Sequence, residues 1–496
     1  MATSNSTPKS ILDNLLTSGQ KTLAHSSTLS PWKNTPNATF LLLSAFIATL
    51  TPLFAPRSLP RRGLFTLHLV LLCQAFLARA PPQVTNPAIL YTSGVLLGVV
   101  SARAFDRLWF CIPEEKFHRL IKKKRTTTQN DHGKKNGEKP TVEYEFVKED
   151  ALTLPPFQRW LWALELATVT RGIGWDWRIS GIPAHTLRSR RNFVVFSLLQ
   201  LGAMYTGLYL ISYFSRAILN GFEDVGNPQL RERLVWVMGN TVVLYIVIAA
   251  GWAMTIYSHF GMLMFPLAIL CVGLRVGPQS WQEVEAWPPN FGNWREAYSI
   301  RRWWGPFSAQ RLLAPTTPPR RQHPRHSPPI PALLPEPKIL FSPLPIRLFK
   351  RYAHLLLTFF ISGAIHSCGT FNISRSPALS QHVPFSPIAG TDIDLYFYLL
   401  QGVGIMLEDF TCWTLGINDQ SAQPPTQLRR WLGYAVAITF HIYTRVVWKA
   451  VPLARAHGFV DGRGEVYAAL SAMEVGASAV PGNFVRLGVE QWMGSR

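Results

Sequence analysis

An ionisable side chain lies inside one of the apolar runs of this chain. His366 directly follows the sequence LLLTFFISGAI at residues 355–365, which holds no other titratable group. Burying such a side chain in hydrocarbon is costly, so an intramembrane histidine is by default a candidate for function. A neutral imidazole in a water-poor cavity accepts a proton from a hydroxyl group, which is general-base chemistry. The alternative is a core histidine with satisfied hydrogen bonds, and His354 and His259 are weaker candidates that suit headgroup contacts.

A second candidate segment combines fixed positive charge with aromatic faces. Arg301 and Arg302 directly precede Trp303 and Trp304, and Asn290 lies upstream in the same stretch. Guanidinium groups bind phosphate and indole rings stack on planar groups, so the segment suits a phosphate-rich planar ligand such as coenzyme A. A basic aromatic loop that binds lipid headgroups would have the same composition, and the residues alone leave both interpretations open.

A third segment, 171–177, has the sequence RGIGWDW. Its two glycines allow a tight turn or a close approach to another chain, and its tryptophans suit the level of the lipid headgroups. The alternative is purely structural, an interfacial turn with aromatic anchors.

These segments are positioned by apolar runs long enough for membrane helices, since a span needs about 20 apolar residues. The runs are 38–54, 64–77, 87–100, 193–214, 234–257, 259–274, 353–368, 395–415 and 431–448. They predict an all-α fold, a polytopic membrane helical bundle of about eight or nine transmembrane helices. Counting every run places the basic loops 101–191 and 275–350 on opposite sides, which conflicts with the positive-inside rule and points to a miscount around 234–274.

The composition agrees with a membrane protein. Of 496 residues, 48% are hydrophobic and only 16% charged, and 49 Lys+Arg against 28 Asp+Glu give a net charge of +21. One compact soluble core is excluded by length, and nucleic acid is excluded as a partner because the basic residues lie in loops between apolar runs. The cysteines show no ligand spacing, so we predict neither a metal site nor a disulfide framework. We also expect no bound cofactor.

The same pattern predicts the organisation of the chain. A polar tail (1–37) precedes N-terminal transmembrane helices (38–104), a solvated polar loop (105–160), a core (161–450) and a C-terminal tail (451–496). The N-terminal tail lacks the pattern of a cleaved signal peptide, so the first span is expected to remain as an anchor. We expect a multi-pass protein of the endoplasmic reticulum membrane, glycosylated at whichever of the sequons at Asn5, Asn37 and Asn372 face the lumen.

Four ordered motifs carry a resemblance to a known family. They are RGIGW at 171–175, a P-N-F-G-N-W-R-E-A-Y-S-I-R-R-W-W-G run at 289–305, S-G-A-I-H at 362–366 and Q-G-V-G-I-M-L-E-D at 401–409. Together they resemble the wax synthase-like branch of the membrane-bound O-acyltransferases, in particular the fungal members that acetylate terpenoid and related secondary metabolites. The first 100 residues match only as generic membrane helices.

The resemblance implies transfer of an acyl group from acyl-CoA, with acetyl-CoA expected as co-substrate, to a hydroxyl of a lipophilic terpenoid-like alcohol. His366 would act as the general base, without a covalent acyl-enzyme. Arg301, Arg302, Trp303, Trp304 and Asn290 would bind the donor. The alternatives are a wax ester synthase that uses long-chain donors, and, in another class, a non-catalytic transporter or lipid-binding membrane protein.

One departure from the family pattern affects activity. The family follows W-G with W-H-Q, whose polar side chain is thought to assist the catalytic histidine, whereas Ser308 and Ala309 occupy the expected Trp and His positions here. A stretch rich in Pro and Arg then extends an atypical insert over 306–345, and such a composition excludes a helix interior. Two explanations account for this departure. One is a genuine divergence that weakens or abolishes activity, and the other is a gene-model error over residues 306–338. The mRNA sequence distinguishes them.

Overall fold

The computed structural model describes residues 37–78, 87–104, 112–125, 143–169, 172–178, 189–289, 294–307, 344–374, 391–417, 425–456 and 463–477. Several predictions fall outside these ranges. They concern Asn5, Arg171, Asn290, Ser308, Ala309 and all of the predicted insert except residues 306, 307, 344 and 345.

Three apolar helices open the described chain. They are α1 (Asn37–Leu50), α2 (Leu59–Leu77) and α3 (Pro87–Ala104). A proline in the first turn begins α2, where its missing N–H has no partner to lose. Ser44 Oγ on α1 lies 2.8 Å from His68 Nδ1 on α2, so a buried polar contact joins the first two helices.

The predicted polar loop contains regular structure, which differs from the solvated coil expected. Strands β1 (Arg119–Arg125) and β2 (Glu143–Glu149) pair antiparallel, with Arg119 opposite Glu149, and helix α4 (Pro156–Thr168) follows. In this register, the basic strand β1 lies opposite β2, which begins and ends with glutamate. Opposite charges across the two strands favour their pairing. Burial lowers the pKa of Arg119, but its hydrogen bonds and ion pairs with Glu149 and Glu165 outweigh this effect and raise the pKa overall.

The RGIGW motif packs into this hairpin region. Trp175 is fully buried against Trp162 of α4, and its indole N–H donates to Glu165 at 3.1 Å. Gly172 and Gly174 both have positive φ, as the turn requires. The motif therefore holds the hairpin against α4.

Two predicted spans are wrong. The structure has α5 (Arg190–Leu219), a short α6 (Pro228–Met238) and then one helix, α7 (Thr241–Ala268), which continues as a π-helix over Ile269–Gly273. The break falls at Asn240, whose side chain caps α7 by accepting from Val242 N at 2.9 Å. The predicted spans 234–257 and 259–274 are thus the end of α6 and a single continuous helix, with His259 inside it.

The remaining helices complete the bundle. They are α8 (Leu344–Ser374), α9 (Thr391–Thr414), α10 (Gln427–Arg445, continued by a π-helix over Val446–Ala450 and a helix over Val451–Ala456) and α11 (Glu465–Ala477). Part of the predicted C-terminal tail is core, because Ala469 and Leu470 of α11 are fully buried against α5 and α7. A short segment, Ile300–Arg302 and the π-helix Trp303–Phe307, lies between α7 and α8.

Three of the described helices are long and apolar enough to cross a membrane. They are Arg190–Leu219, Thr241–Gly273 and Leu348–Ile373, and shorter apolar helices cover Leu42–Leu53 and Leu90–Val99. The protein is therefore a mostly helical membrane protein, and the expected number of eight or nine spans stays a prediction.

Candidate active site

The candidate site forms where α3 crosses α8 without side chains between their backbones. A Cβ on Gly94 would lie 2.3 Å from the carbonyl oxygen of Cys368 and 2.7 Å from Cα of Gly369. These distances are too short for any side chain at this position. Glycine at this crossing lets Tyr91, three residues before Gly94, reach His366 on α8. The contact depends on close helix packing of a kind common in membrane bundles.

A second close approach brings α9 to the same place. A Cβ on Gly363 would lie 2.9 Å from Cα of Leu395, the residue that follows Asp394. The glycine of the S-G-A-I-H motif therefore admits α9, and His366 follows it by about one helical turn on α8.

His366 belongs to a buried polar cluster contributed by four separate segments. Its Nδ1 lies 2.9 Å from Tyr91 Oη, which in turn lies 3.2 and 3.3 Å from the two oxygens of Asp394. Lys449, in the π-helix after α10, is 3.1 Å from Tyr91 Oη and forms a 2.6 Å ion pair with Asp394. Thr370 donates to Asp394 at 2.6 Å. The carboxylate, at 0% exposure, is thus fully paired.

Donor and acceptor chemistry favours one proton arrangement in this cluster. An ammonium group only donates and a carboxylate only accepts, whereas the tyrosine hydroxyl carries one proton. Donation from Tyr91 to the charged Asp394 is the stronger of its two options, since charge-assisted hydrogen bonds exceed neutral ones. Tyr91 Oη then accepts from Lys449 and from His366, which places the imidazole proton on Nδ1 and leaves Nε2 as an acceptor.

The other nitrogen of His366 is open. The ring of His366 stacks on Tyr398 of α9, with centroids 4.6 Å apart and planes at 23°. Tyr398 and the hydrogen bond to Tyr91 together fix the orientation of the imidazole. No described residue hydrogen-bonds Nε2, and the side chain is only partly buried. Nε2 can therefore meet a ligand.

The Arg301–Trp304 segment is fastened to the C-terminal half of α9. Both oxygens of Glu408 accept backbone N–H groups at 2.9 Å, from Ile300 and Arg301. Asp409 accepts from Arg301 Nε at 3.0 Å and from a second nitrogen of the same guanidinium group. The E-D pair of the fourth motif thus holds the second motif, and Arg301 has a structural partner.

Arg302 and Trp304, two more residues predicted to bind the donor, also have partners in the described part of the chain. Arg302 pairs with Glu296 at 3.0 Å, and its guanidinium group lies 4.7 Å from the ring centroid of Tyr298. The indole N–H of Trp304 donates to the fully buried Gln401 at 3.2 Å. Trp304 also lies 5.9 Å from Tyr398, the ring that stacks on His366, so the segment and the histidine border one aromatic-lined region.

His441 of α10 packs against the Arg301–Trp304 segment. It was not among the candidate site residues predicted from the sequence. Its ring is 4.5 Å from that of Trp303 and 6.0 Å from that of Trp304. The residue is 6% exposed, and Nε2 has no hydrogen-bond partner in the described part of the chain. A buried imidazole that lacks a partner is available to a ligand.

The sequence contained signals for some of the missed residues. Lys449 interrupts the apolar run VVWKAV at 446–451, and an ionisable residue in such a run is a candidate by the same rule that identified His366. His441 lies within the predicted span 431–448, so the same rule applies to it. Tyr91 and Asp394 carry no comparable signal, because only helix crossings bring them to the site. Among the described residues, no group of His, Cys, Asp or Glu side chains could hold a metal ion.

Comparison with known proteins identifies the class. The sequence model of the membrane bound O-acyl transferase family matches residues 287–386, which contain Arg301–Trp304 and His366. The chain is 40% identical over 472 residues to the O-Mevalon transferase macI of Penicillium terrestre, covering 93% of this chain and 98% of that protein. The chain belongs to the membrane-bound O-acyltransferase family and is an O-acyltransferase.

Two further relatives place it among fungal secondary-metabolite enzymes. It is 39% identical over 446 residues to the O-Mevalon transferase yanI of Aspergillus niger, covering 90% of this chain and 91% of that protein. It is 28% identical over 298 residues to an acetyltransferase of Arthrobotrys oligospora, covering 58% of each. No solved structure matches the chain.

Proposed function

We propose that this enzyme transfers a short acyl group from acyl-CoA to a hydroxyl group of a lipophilic, terpenoid-like acceptor, with His366 as general base. The observation that carries the proposal is the chain of contacts from His366 Nδ1 through Tyr91 to Asp394, which leaves Nε2 as an acceptor. The acceptor enters from the bilayer, and the donor binds through Arg301, Arg302, Trp303, Trp304 and Asn290.

The chemistry requires one proton to move through His366. Nε2 takes the proton of the acceptor hydroxyl as its oxygen attacks the thioester carbonyl, which gives a tetrahedral intermediate. The carbon–sulfur bond then breaks, and the imidazolium returns the proton to the leaving thiolate of coenzyme A. Asp394, through Tyr91, stabilises the imidazolium while it exists, and Lys449 holds that carboxylate in place.

The donor has two leading candidates. Acetyl is expected from the family pattern, and mevalon is the group named for the two relatives that align over at least 90% of this chain. A long-chain donor, as in wax ester synthesis, is the runner-up. We also propose a multi-pass arrangement in the endoplasmic reticulum membrane.

The missing W-H-Q motif is compatible with activity under this proposal. His441 supplies a buried imidazole against Trp303, in the segment that contains the W-G dipeptide. A side chain from α10 can thus provide a polar group that the family takes from the loop after W-G.

An assay in microsomes tests the proposal. Labelled acetyl-CoA, mevalonyl-CoA and palmitoyl-CoA are each offered with farnesol, a polycyclic terpenoid alcohol and hexadecanol. We expect transfer of a short acyl group to a terpenoid alcohol, and a loss of about 10²–10⁴-fold in His366→Ala, the usual contribution of general-base catalysis. His354→Ala, at an exposed position on the same helix, is the matched control and should behave as wild type.

Two outcomes contradict the proposal in different ways. Equal rates for His366→Ala and wild type would remove the general-base assignment. Exclusive transfer from palmitoyl-CoA to hexadecanol would establish the wax ester alternative, and no transfer from any pair would favour a catalytically inactive relative.

A further inference from the structure

One partly buried arginine near the candidate site has no anionic partner among the described residues. Arg445, the last residue of α10, has its guanidinium group 5.8 Å from the ring centroid of Phe397, a residue 2% exposed. The phenol groups of Tyr91 and Tyr398 lie within electrostatic reach of it, as does His366. Among the described residues, no carboxylate lies within ion-pair distance of Arg445.

The charged groups of the described residues around His366 leave a net positive charge. Asp394 and Lys449 form an ion pair and cancel, and a neutral His366 adds nothing. Arg445 therefore leaves one positive charge in excess beside the proposed base. Taking a guanidinium group out of water without a partner is costly, so such a charge in an aromatic setting indicates an anion that binds there.

The position of Arg445 indicates which substrate carries that anion. His441, Arg445 and Lys449 follow one another at four-residue spacing, so they lie along one side of α10. His441 contacts Trp303 of the predicted donor-binding segment, and Lys449 contacts Tyr91 of the His366 cluster. Arg445 thus lies between the donor-binding segment and the reacting centre, where the acyl group must lie during transfer.

We infer that Arg445 binds a carboxylate on the acyl group, so that the preferred donor is the coenzyme A thioester of a short dicarboxylic acid. A guanidinium group matches a carboxylate with two parallel hydrogen bonds, which makes it selective for this group. The inference rests on the proposed function and deepens it, because it specifies the class of donor.

Two thioesters of equal carbon number test the inference. Glutaryl-CoA carries a terminal carboxylate and pentanoyl-CoA does not, and binding of each to the purified full-length protein in nanodiscs is measured directly, alongside transfer to the alcohol panel. We expect wild type to prefer glutaryl-CoA by about 10- to 100-fold, the usual effect of one charge-assisted contact. Arg445→Gln should abolish this preference, because glutaryl-CoA binding should fall far more than pentanoyl-CoA binding. Arg233→Gln, at an exposed arginine of α6, is the control.

The outcomes separate this inference from the proposed function. Equal binding of both thioesters by wild type would overturn the carboxylate inference while leaving acyl transfer intact. An equal loss for both donors in Arg445→Gln would also overturn it, since the guanidinium group would then act on the oxyanion common to all donors. Failure of wild type to transfer any acyl group would count against the proposed function, whatever the binding preference.

Discussion

The hydrogen bond between His366 Nδ1 and Tyr91 is the contact on which the proposed chemistry most depends. At 2.9 Å it orients the ring and assigns the imidazole proton, and this hydroxyl group links His366 to Asp394 by hydrogen bonds. A histidine without this neighbour would exchange between its two neutral tautomers, and only one of them leaves Nε2 as the acceptor.

Removal of the Tyr91 hydroxyl should therefore slow acyl transfer without unfolding the protein. We expect Tyr91→Phe to lower kcat by about 10- to 100-fold, the equivalent of one hydrogen bond to a group that becomes charged. Donor KM should change little, because the ring and its packing remain. Tyr443→Phe, at a 52% exposed position, is the control, and equal kcat values for both variants would show that Tyr91 does not position the base.

The two adjacent arginines should differ in their effect on donor binding. Arg302 pairs with Glu296 near the surface, whereas Arg301 holds Asp409 and so supports the segment itself. We expect Arg302→Ala to raise the KM for acyl-CoA about tenfold at nearly constant kcat, as loss of a phosphate contact would. Arg301→Ala should also lower thermal stability, because Asp409 then keeps only its contacts with Arg351 and Tyr352. An unchanged KM in both variants would exclude the pair from the donor site.

At the scale of helices, small residues decide which polar groups meet. Gly94 and Gly363 allow α3 and α9 to approach α8 at backbone distance, and the cluster around His366 forms between these helices. Hydropathy identifies each helix but not its crossing points, so the sequence placed His366 in a span without indicating Tyr91 or Asp394.

A larger side chain at the α3–α8 crossing should separate Tyr91 from His366. We expect Gly94→Val to destabilise the protein by about 1–3 kcal/mol, as overpacking of a tight contact does, and to reduce acyl transfer more than Tyr91→Phe does. Gly202→Ala, a helical glycine of α5 with open space at its Cβ, serves as the control and should keep both properties. Thermal unfolding in detergent and the transfer assay measure the two effects. Wild-type behaviour of Gly94→Val would contradict the close crossing.

The break before α7 shows a second limit of sequence patterns. Residues 234–274 are apolar almost throughout, so two spans were predicted where one helix follows a capped break at Asn240. A capping asparagine within an apolar run is a local signal, and the helix it begins extends for 33 residues.

At the scale of the whole molecule, the single helix over Thr241–Gly273 removes the conflict over the basic loops. Arg190, at the start of α5, hydrogen-bonds the backbone carbonyls of Val272 and Gly273 at the end of this helix. The segments before α5 and after α7 therefore leave the bundle at the same end. Arg61, at the start of α2, pairs with Glu114 of the segment after α3. The turn between α1 and α2 therefore lies at the same end of the bundle.

We expect this basic end to face the cytosol, because lysine and arginine accumulate in cytosolic loops. A glycosylation acceptor inserted at Glu223, between α5 and α6, should be modified in microsomes, whereas the same insertion at Lys148 or Glu285 should not. Modification at Lys148 or Glu285 would reverse the orientation. The natural sequon at Asn372 should stay unmodified, since this side chain is 6% exposed and donates to Leu90 O and Ser93 Oγ.

The sequence by itself determined the class of this protein. Apolar runs with basic loops predicted a helical membrane protein, and four short motifs indicated an O-acyltransferase, because these features depend on residue type and local spacing. Only the tertiary structure decided what surrounds His366 and which positive charge has no carboxylate partner among the described residues. Tyr91, Asp394 and the turn from Arg445 to Lys449 are far apart in the chain, and helix packing alone brings them to one place.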